Sequence, residues 1–87
     1  MPSQRRVEYH PKAVKILRRI DQATADRIRL KVRQLAEDPD SLANNVTAMQ
    51  GEPGLMRLRV GDWRVVYTEN LVVLLVVRIG PRGGIYD

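Results

Sequence analysis

The sequence predicts an α+β fold of order β-α-α-β-β-β, with a helical hairpin packed on one face of a twisted, mainly antiparallel sheet. Three observations carry this. Apolar residues recur at helical spacing between Pro11 and Ala36. Beyond Gly54 the pattern changes to alternating and then continuous aliphatic stretches rich in β-branched residues. Short runs of turn-formers separate those stretches, as hairpins require. At 87 residues the chain has room for one domain, residues 1–87, and none for a second catalytic one. With 44% hydrophobic and 29% charged residues it has globular rather than disordered composition.

Residues 4–9 (QRRVEY) read as a short strand, with Val7 and Tyr9 on one face and Glu8 on the other. Pro11 occupies a first helical position. Ala13, Ile16, Leu17 and Ile20 then form one apolar stripe, opposite Lys12, Lys15, Arg18 and Arg19. His10, just before Pro11, reads as a helix-start residue. Asp21 is the expected N-cap of a second helix, whose stripe is Ala25, Ile28, Val32, Leu35 and Ala36. Glu37, Asp38, Pro39 and Asp40 stop that periodicity. Residues 41–54, dense in Asn, Gly and Pro, read as a connecting loop.

Residues 55–60 (LMRLRV) alternate strictly, Gly61 and Asp62 make a turn, residues 63–69 (WRVVYTE) form a second strand, and residues 71–79 (LVVLLVVRI) a third. The third is apolar on both faces and is expected to lie inside the sheet. The pleat sends Met56, Leu58 and Val60 toward the helices and Leu55, Arg57 and Arg59 to an open face. Trp63, Tyr67 and Tyr9 are assigned to packing, since the chain has no Phe. The tail, residues 80–87 (GPRGGIYD), reads as frayed or as a functional loop ending in a short strand.

With no cysteine, disulfides, thiolate catalysis and Cys-based zinc sites are excluded, and a single histidine excludes most other metal chemistry. No cofactor is expected. The N-terminus has no apolar signal region and the longest apolar run is too short to span a bilayer, so a cytoplasmic protein is expected. Fifteen Lys and Arg against ten Asp and Glu give a net charge of +5. That excess suits a polyanionic partner such as RNA, DNA or an acidic protein, and equally suits plain solubility.

A sharper signal lies in the arginines. Arg57, Arg59, Arg64 and Arg82, together with Tyr86, lie on strands and loops that the meander brings together, and as a set they suit a phosphate site across the open sheet face. Singly, each has a plainer role: Arg57 and Arg59 as the polar side of a strand, Arg64 as a partner of Glu69 or Asp62, and Arg78 as a strand-edge cation. The GPRGG segment is not a nucleotide-binding loop, because no Gly-Lys-Ser/Thr follows and no helix opens behind it.

The strand and helical hairpin, then Met49-Gln50-Gly51 leading to LMRLRVGDWRVVY and VVLLVVRIGPRGGIY, resemble the RelE branch of the RelE/ParE toxin superfamily over nearly the whole chain. The most specific segments run from Arg57 to Tyr67 and from Ile79 to Tyr86. The resemblance implies a RelE-like fold and the toxin of a type II toxin–antitoxin pair. It further implies a metal-independent endoribonuclease (mRNA interferase) that cuts mRNA in the ribosomal A site, with a RelB-like antitoxin as partner. Residue by residue, Arg57 matches a family lysine, and Arg64, Arg82 and Tyr86 match the family's arginines and C-terminal tyrosine. Leu55 stands where RelE carries a further lysine, which Arg59 would replace in binding RNA, and Pro81 stands where many relatives carry histidine.

In that chemistry the ribose 2′-OH attacks the adjacent phosphate. Tyr86 is the expected general base, Arg82 assists the leaving 5′-oxygen, and Arg57 and Arg64 hold the phosphate. The helix cations Arg18, Arg19, Arg27, Arg29, Lys31 and Arg33 would meet ribosomal RNA or simply form a solvated face. The alternatives are a ParE-like toxin that inhibits DNA gyrase by binding, and an inactive module that only binds antitoxin.

Overall fold

The computed structural model describes residues 5–84. Its elements are β1 (Arg6–Tyr9), α1 (Pro11–Arg19), α2 (Gln22–Glu37), a 3-10 helix (Pro39–Asn45), β2 (Val46–Ala48), β3 (Met56–Val60), β4 (Trp63–Glu69) and β5 (Val73–Pro81). The five strands form one sheet in the order β1-β5-β4-β3-β2. All neighbours are antiparallel except β1 and β5, which run parallel, and the helical hairpin carries the chain from β1 at one edge of the sheet to β2 at the other. This is the predicted α+β arrangement, with one strand added.

Both helices begin where local chemistry dictates. His10 Nδ1 accepts from the Lys12 N–H at 3.1 Å ahead of Pro11, and Asp21 Oδ2 accepts from the Thr24 N–H at 3.0 Å. At the far end of α2, Arg5 Nη2 donates to the Leu35 carbonyl at 2.8 Å and pairs with Glu69, fastening β1, α2 and β4 together.

The core lies between the helices and one sheet face. Ala13, Leu17, Ala25, Ile28, Val32, Leu35 and Ala36 meet Leu58, Val60, Val65, Tyr67, Leu74, Val76 and Ile79. Met56, Leu58 and Val60 face the helices as expected, and Val7, Tyr9 and Trp63 pack against the same cluster. β5 is flanked on both sides, as its double-faced apolar sequence requires.

Three features differ from the sequence reading. Residues 41–54 are not merely a loop: the 3-10 helix runs into them, and Val46–Ala48 pairs with β3 as an edge strand too short to leave a periodic signal. The third predicted strand starts later and ends later. Leu71 and Val72, 88% and 62% exposed, belong to the hairpin turn instead, where Asn70 Oδ1 accepts from the N–H groups of Val72 and Val73 at 2.8 Å. Finally, the sheet face away from the helices is only partly open. Val66 and Met49 are buried yet lie outside the helix-side cluster, and Glu52 reaches across to Arg78.

A bulge decides that last arrangement. Val66 pairs with Arg78 and Tyr67 with Val76, so the ladder skips Val77. Strict alternation would have put Arg78 beside Leu74 and Val76 in the core. The skipped residue turns Arg78 outward and brings Ile79 in.

Candidate functional site

On the outer sheet face, cross-strand register sets which side chains meet. Thr47 of β2 opposes Arg57 of β3, which opposes Val66 of β4 and then Arg78 of β5. One step along, Arg59 stands directly opposite Arg64, and Arg64 opposite Gly80. Partners in register project to the same face, so Arg59 and Arg64 stand side by side.

A pocket of about 200 Å³ opens there, lined by Asn44, Asn45, Thr47, Arg57, Arg59 and Arg64. Arg59 is exposed, whereas Arg57 and Arg64 are half-buried. Arg64 Nη1 donates to the carbonyls of Gly61 at 2.9 Å and Trp63 at 3.0 Å, folding its guanidinium back over the β3–β4 turn. It does not pair with Glu69, which is taken by Arg5. The Arg82 N–H donates to the Asp62 carbonyl at 2.8 Å, tying the segment after β5 to that same turn.

The electrostatics follow from this crowding. Desolvation, then the charges of Arg82, Arg57 and Arg59, push the Arg64 guanidinium below its ordinary value, with Asp62 opposing. It stays charged at neutral pH, since an arginine does not deprotonate in a protein. The result is a concentrated positive field over a concave polar surface, suited to a phosphodiester.

The structure therefore brings Arg57, Arg59 and Arg64 into one pocket and sets Arg82 near enough to act on Arg64. Tyr86 lies outside the described residues. Leu55 sits at the mouth of the loop before β3, its N–H donating to the Glu52 carbonyl at 3.1 Å, and Pro81 is the exposed last residue of β5 opposite Trp63. Sequence reasoning missed Asn44, Asn45 and Thr47, half of the pocket lining, because an Asn pair ahead of a three-residue strand reads only as turn chemistry. Among the described residues, no group of three or more His, Asp or Glu side chains is placed to hold a metal ion, and no helix is long and apolar enough to cross a membrane.

The profile of the family described as "ParE toxin of type II toxin–antitoxin system, parDE" matches residues 7–86. The chain belongs to that toxin family. Within the wider RelE/ParE superfamily the toxin is RelE-like. It superposes on a chain of the archaeal RelE–RelB complex from Pyrococcus horikoshii with a TM-score of 0.76 and 29% identity, over 94% of this chain and 99% of that one. A RelB–RelE complex from Methanococcus jannaschii matches with TM-score 0.71 and 21% identity, over 92% and 95%. The E. coli RelBE complex matches with 0.70 and 20%, over 88% and 95%. These last two show the shared fold. No curated protein matches the toxin in sequence.

Proposed function

We propose that this toxin is an endoribonuclease that cleaves mRNA in the ribosomal A site without a metal. What supports this is the confrontation of Arg59 and Arg64 in register, with Arg57 in the same pocket and Arg82 acting on Arg64. Like charges placed directly opposite destabilise a sheet, so their accumulation is best understood as preparation for an external polyanion.

In the proposed reaction the 2′-oxygen attacks the adjacent phosphorus, the bond to the 5′-oxygen breaks, and a 2′,3′-cyclic phosphate and a 5′-hydroxyl result. Arg57 and Arg64 hold the non-bridging oxygens, bidentate geometry fixing the phosphate in line. Arg59 adds to the field that binds the RNA. Tyr86, as the phenolate, takes the 2′ proton, and Arg82 stabilises charge on the leaving 5′-oxygen, which takes its proton from solvent water to become the 5′-hydroxyl. A phenol ordinarily ionises near pH 10, and surrounding guanidinium groups favour its charged form. The assignment of Tyr86 rests on the sequence resemblance.

The proposed partners are a RelB-like antitoxin, as in the complexes that supply the structural relatives, and the ribosome in the cytoplasm. Arg18, Arg19, Arg29, Lys31 and Arg33 are offered to ribosomal RNA. Arg27 is less available, since its guanidinium lies against Gly61. A second reading is favoured by the ParE description of the matching family: inhibition of DNA gyrase by binding.

Antitoxin-free protein added to mRNA-programmed ribosomes, with RNA ends mapped by primer extension, separates the two. The nuclease cuts within the A-site codon, and Arg64→Ala and Tyr86→Phe abolish the cut. Intact mRNA together with arrested cell growth supports the gyrase reading instead. A short RNA at high enzyme concentration, with a chelator present, tests metal independence apart from the ribosome.

A further inference from the structure

The arginines explain only half of the pocket. Its other wall is neutral and polar: Asn44 and Asn45 close the 3-10 helix, and Thr47 is the middle residue of edge strand β2. Thr47 opposes Arg57 in register, so the neutral wall is built onto the cationic one. No hydrogen bond among the described residues engages the side chains of Asn44, Asn45 or Thr47. Arg57, Arg59 and Arg64 offer donors only. The two amides and the hydroxyl add acceptors, and each amide presents a donor and an acceptor side by side.

That division matches how proteins read nucleic acids. Cationic contacts to phosphate position the strand and carry no sequence information, whereas amide and hydroxyl contacts to base edges specify it. In RNA such reading takes place on unpaired bases whose edges are exposed. We propose that Asn44, Asn45 and Thr47 form a base-reading wall, which hydrogen-bonds the edge of the nucleobase adjoining the phosphate held by Arg57, Arg59 and Arg64. The wall thereby sets which codons are cut. This rests on the nuclease function proposed above and extends it from phosphate chemistry to sequence preference.

The test uses ribosomes programmed with mRNAs that differ only in the A-site codon, with total cleavage and its distribution over codons read separately. Asn44→Ala/Asn45→Ala is expected to narrow the spread between best and worst codons from about tenfold to about twofold, because one good amide–base pair supplies discrimination of that order. The narrowing arises from slower cleavage of the preferred codons, which lose their base contacts. Asn45→Asp, which keeps the shape and removes the donor, is expected to change the order of codon preference. Thr47→Val keeps the β-branched strand residue and loses only the hydroxyl, so it carries the test if the double variant fails to fold. An unchanged codon distribution in all folded variants overturns the base-reading wall and leaves the nuclease standing. Absence of cleavage by the unaltered toxin on every codon overturns both.

Discussion

The Glu52 carboxylate lies 3.1 Å from Arg78 Nη2, joining the loop between β2 and β3 to β5 across the outer face of the sheet. Val66, in register with Arg78, and Met49 are buried outside the helix-side core, so the outer face divides into a covered part and the arginine pocket. The loop is thus a fixed wall of the fold, and Arg78, though basic and outward-facing, is committed to structure. Its Nε is buried without a hydrogen-bond partner, so the Glu52 contact carries much of its compensation.

Glu52→Ala should therefore loosen the loop more than it destabilises the protein. Both partners are about two-fifths exposed, with side-chain exposures of 42% and 39%, so screening holds the loss below about 1 kcal/mol. Urea unfolding should show that small change, while limited proteolysis within residues 49–54 accelerates. Unchanged proteolysis would mean that the apolar contacts of Met49 alone hold the loop.

Arg64→Ala removes the cation at the centre of the pocket while leaving the core untouched. Its bond to the Gly61 carbonyl is exposed and that to the Trp63 carbonyl only partly buried, so the melting temperature should stay close to that of the unaltered toxin. Cleavage on programmed ribosomes should fall by about 10² or more, the scale seen when one charge-stabilising donor is lost. A comparable fall in stability would reassign Arg64 to the scaffold.

Gly61, in the turn between β3 and β4, has φ +58, and a Cβ placed there would lie 2.5 Å from Arg27 Nη2. The Arg27 tip can move aside, but the left-handed backbone cannot be relieved. Gly61→Ala should cost about 1 kcal/mol by denaturant unfolding, and Gly61→Asn less. Because Asp62 and Arg82 hang on the same turn, the alanine variant should also lower activity.

Arg5→Ala should be the most destabilising substitution of a charged side chain. Its side chain is only 8% exposed and serves the last turn of α2 and Glu69 together. Loss of charge-assisted bonds of this kind costs about 2 kcal/mol. Hydrogen exchange should increase at β1 and at the C-terminal turn of α2 before it increases at β3.

Asp21 provides a pH-dependent contribution. Hydrogen bonds from Thr24 hold its carboxyl below the ordinary value of 3.8. The folded state therefore favours the ionised cap, whose contribution is complete above that ordinary value and is lost as pH falls through the lower folded one. Asp21→Asn keeps a capping oxygen and removes the titration. Its stability should thus fall less steeply than that of the unaltered toxin in the acid range, as thermal melts from pH 5 downward will show.

The amino-acid sequence by itself determined the two helices, their caps at His10 and Asp21, the β3–β4 turn and the inward set Met56, Leu58 and Val60. Each depends on residues within a turn or a pleat of one another, where spacing and side-chain chemistry are sufficient. It also placed Arg57 and Arg59 on one face, because alternation along a strand is a local rule, whereas Arg64 joins them through the β3–β4 register. The tertiary structure alone decided the rest. The three-residue β2 exists only because β3 offers it a ladder, and Arg78 turns outward only because pairing with β4 skips Val77. The neutral wall of the pocket is likewise a product of pairing. The β2–β3 ladder sets Thr47 opposite Arg57, and Asn44 and Asn45 at the end of the 3-10 helix come with it; an isolated stretch of chain carries no record of the strand beside which it will lie.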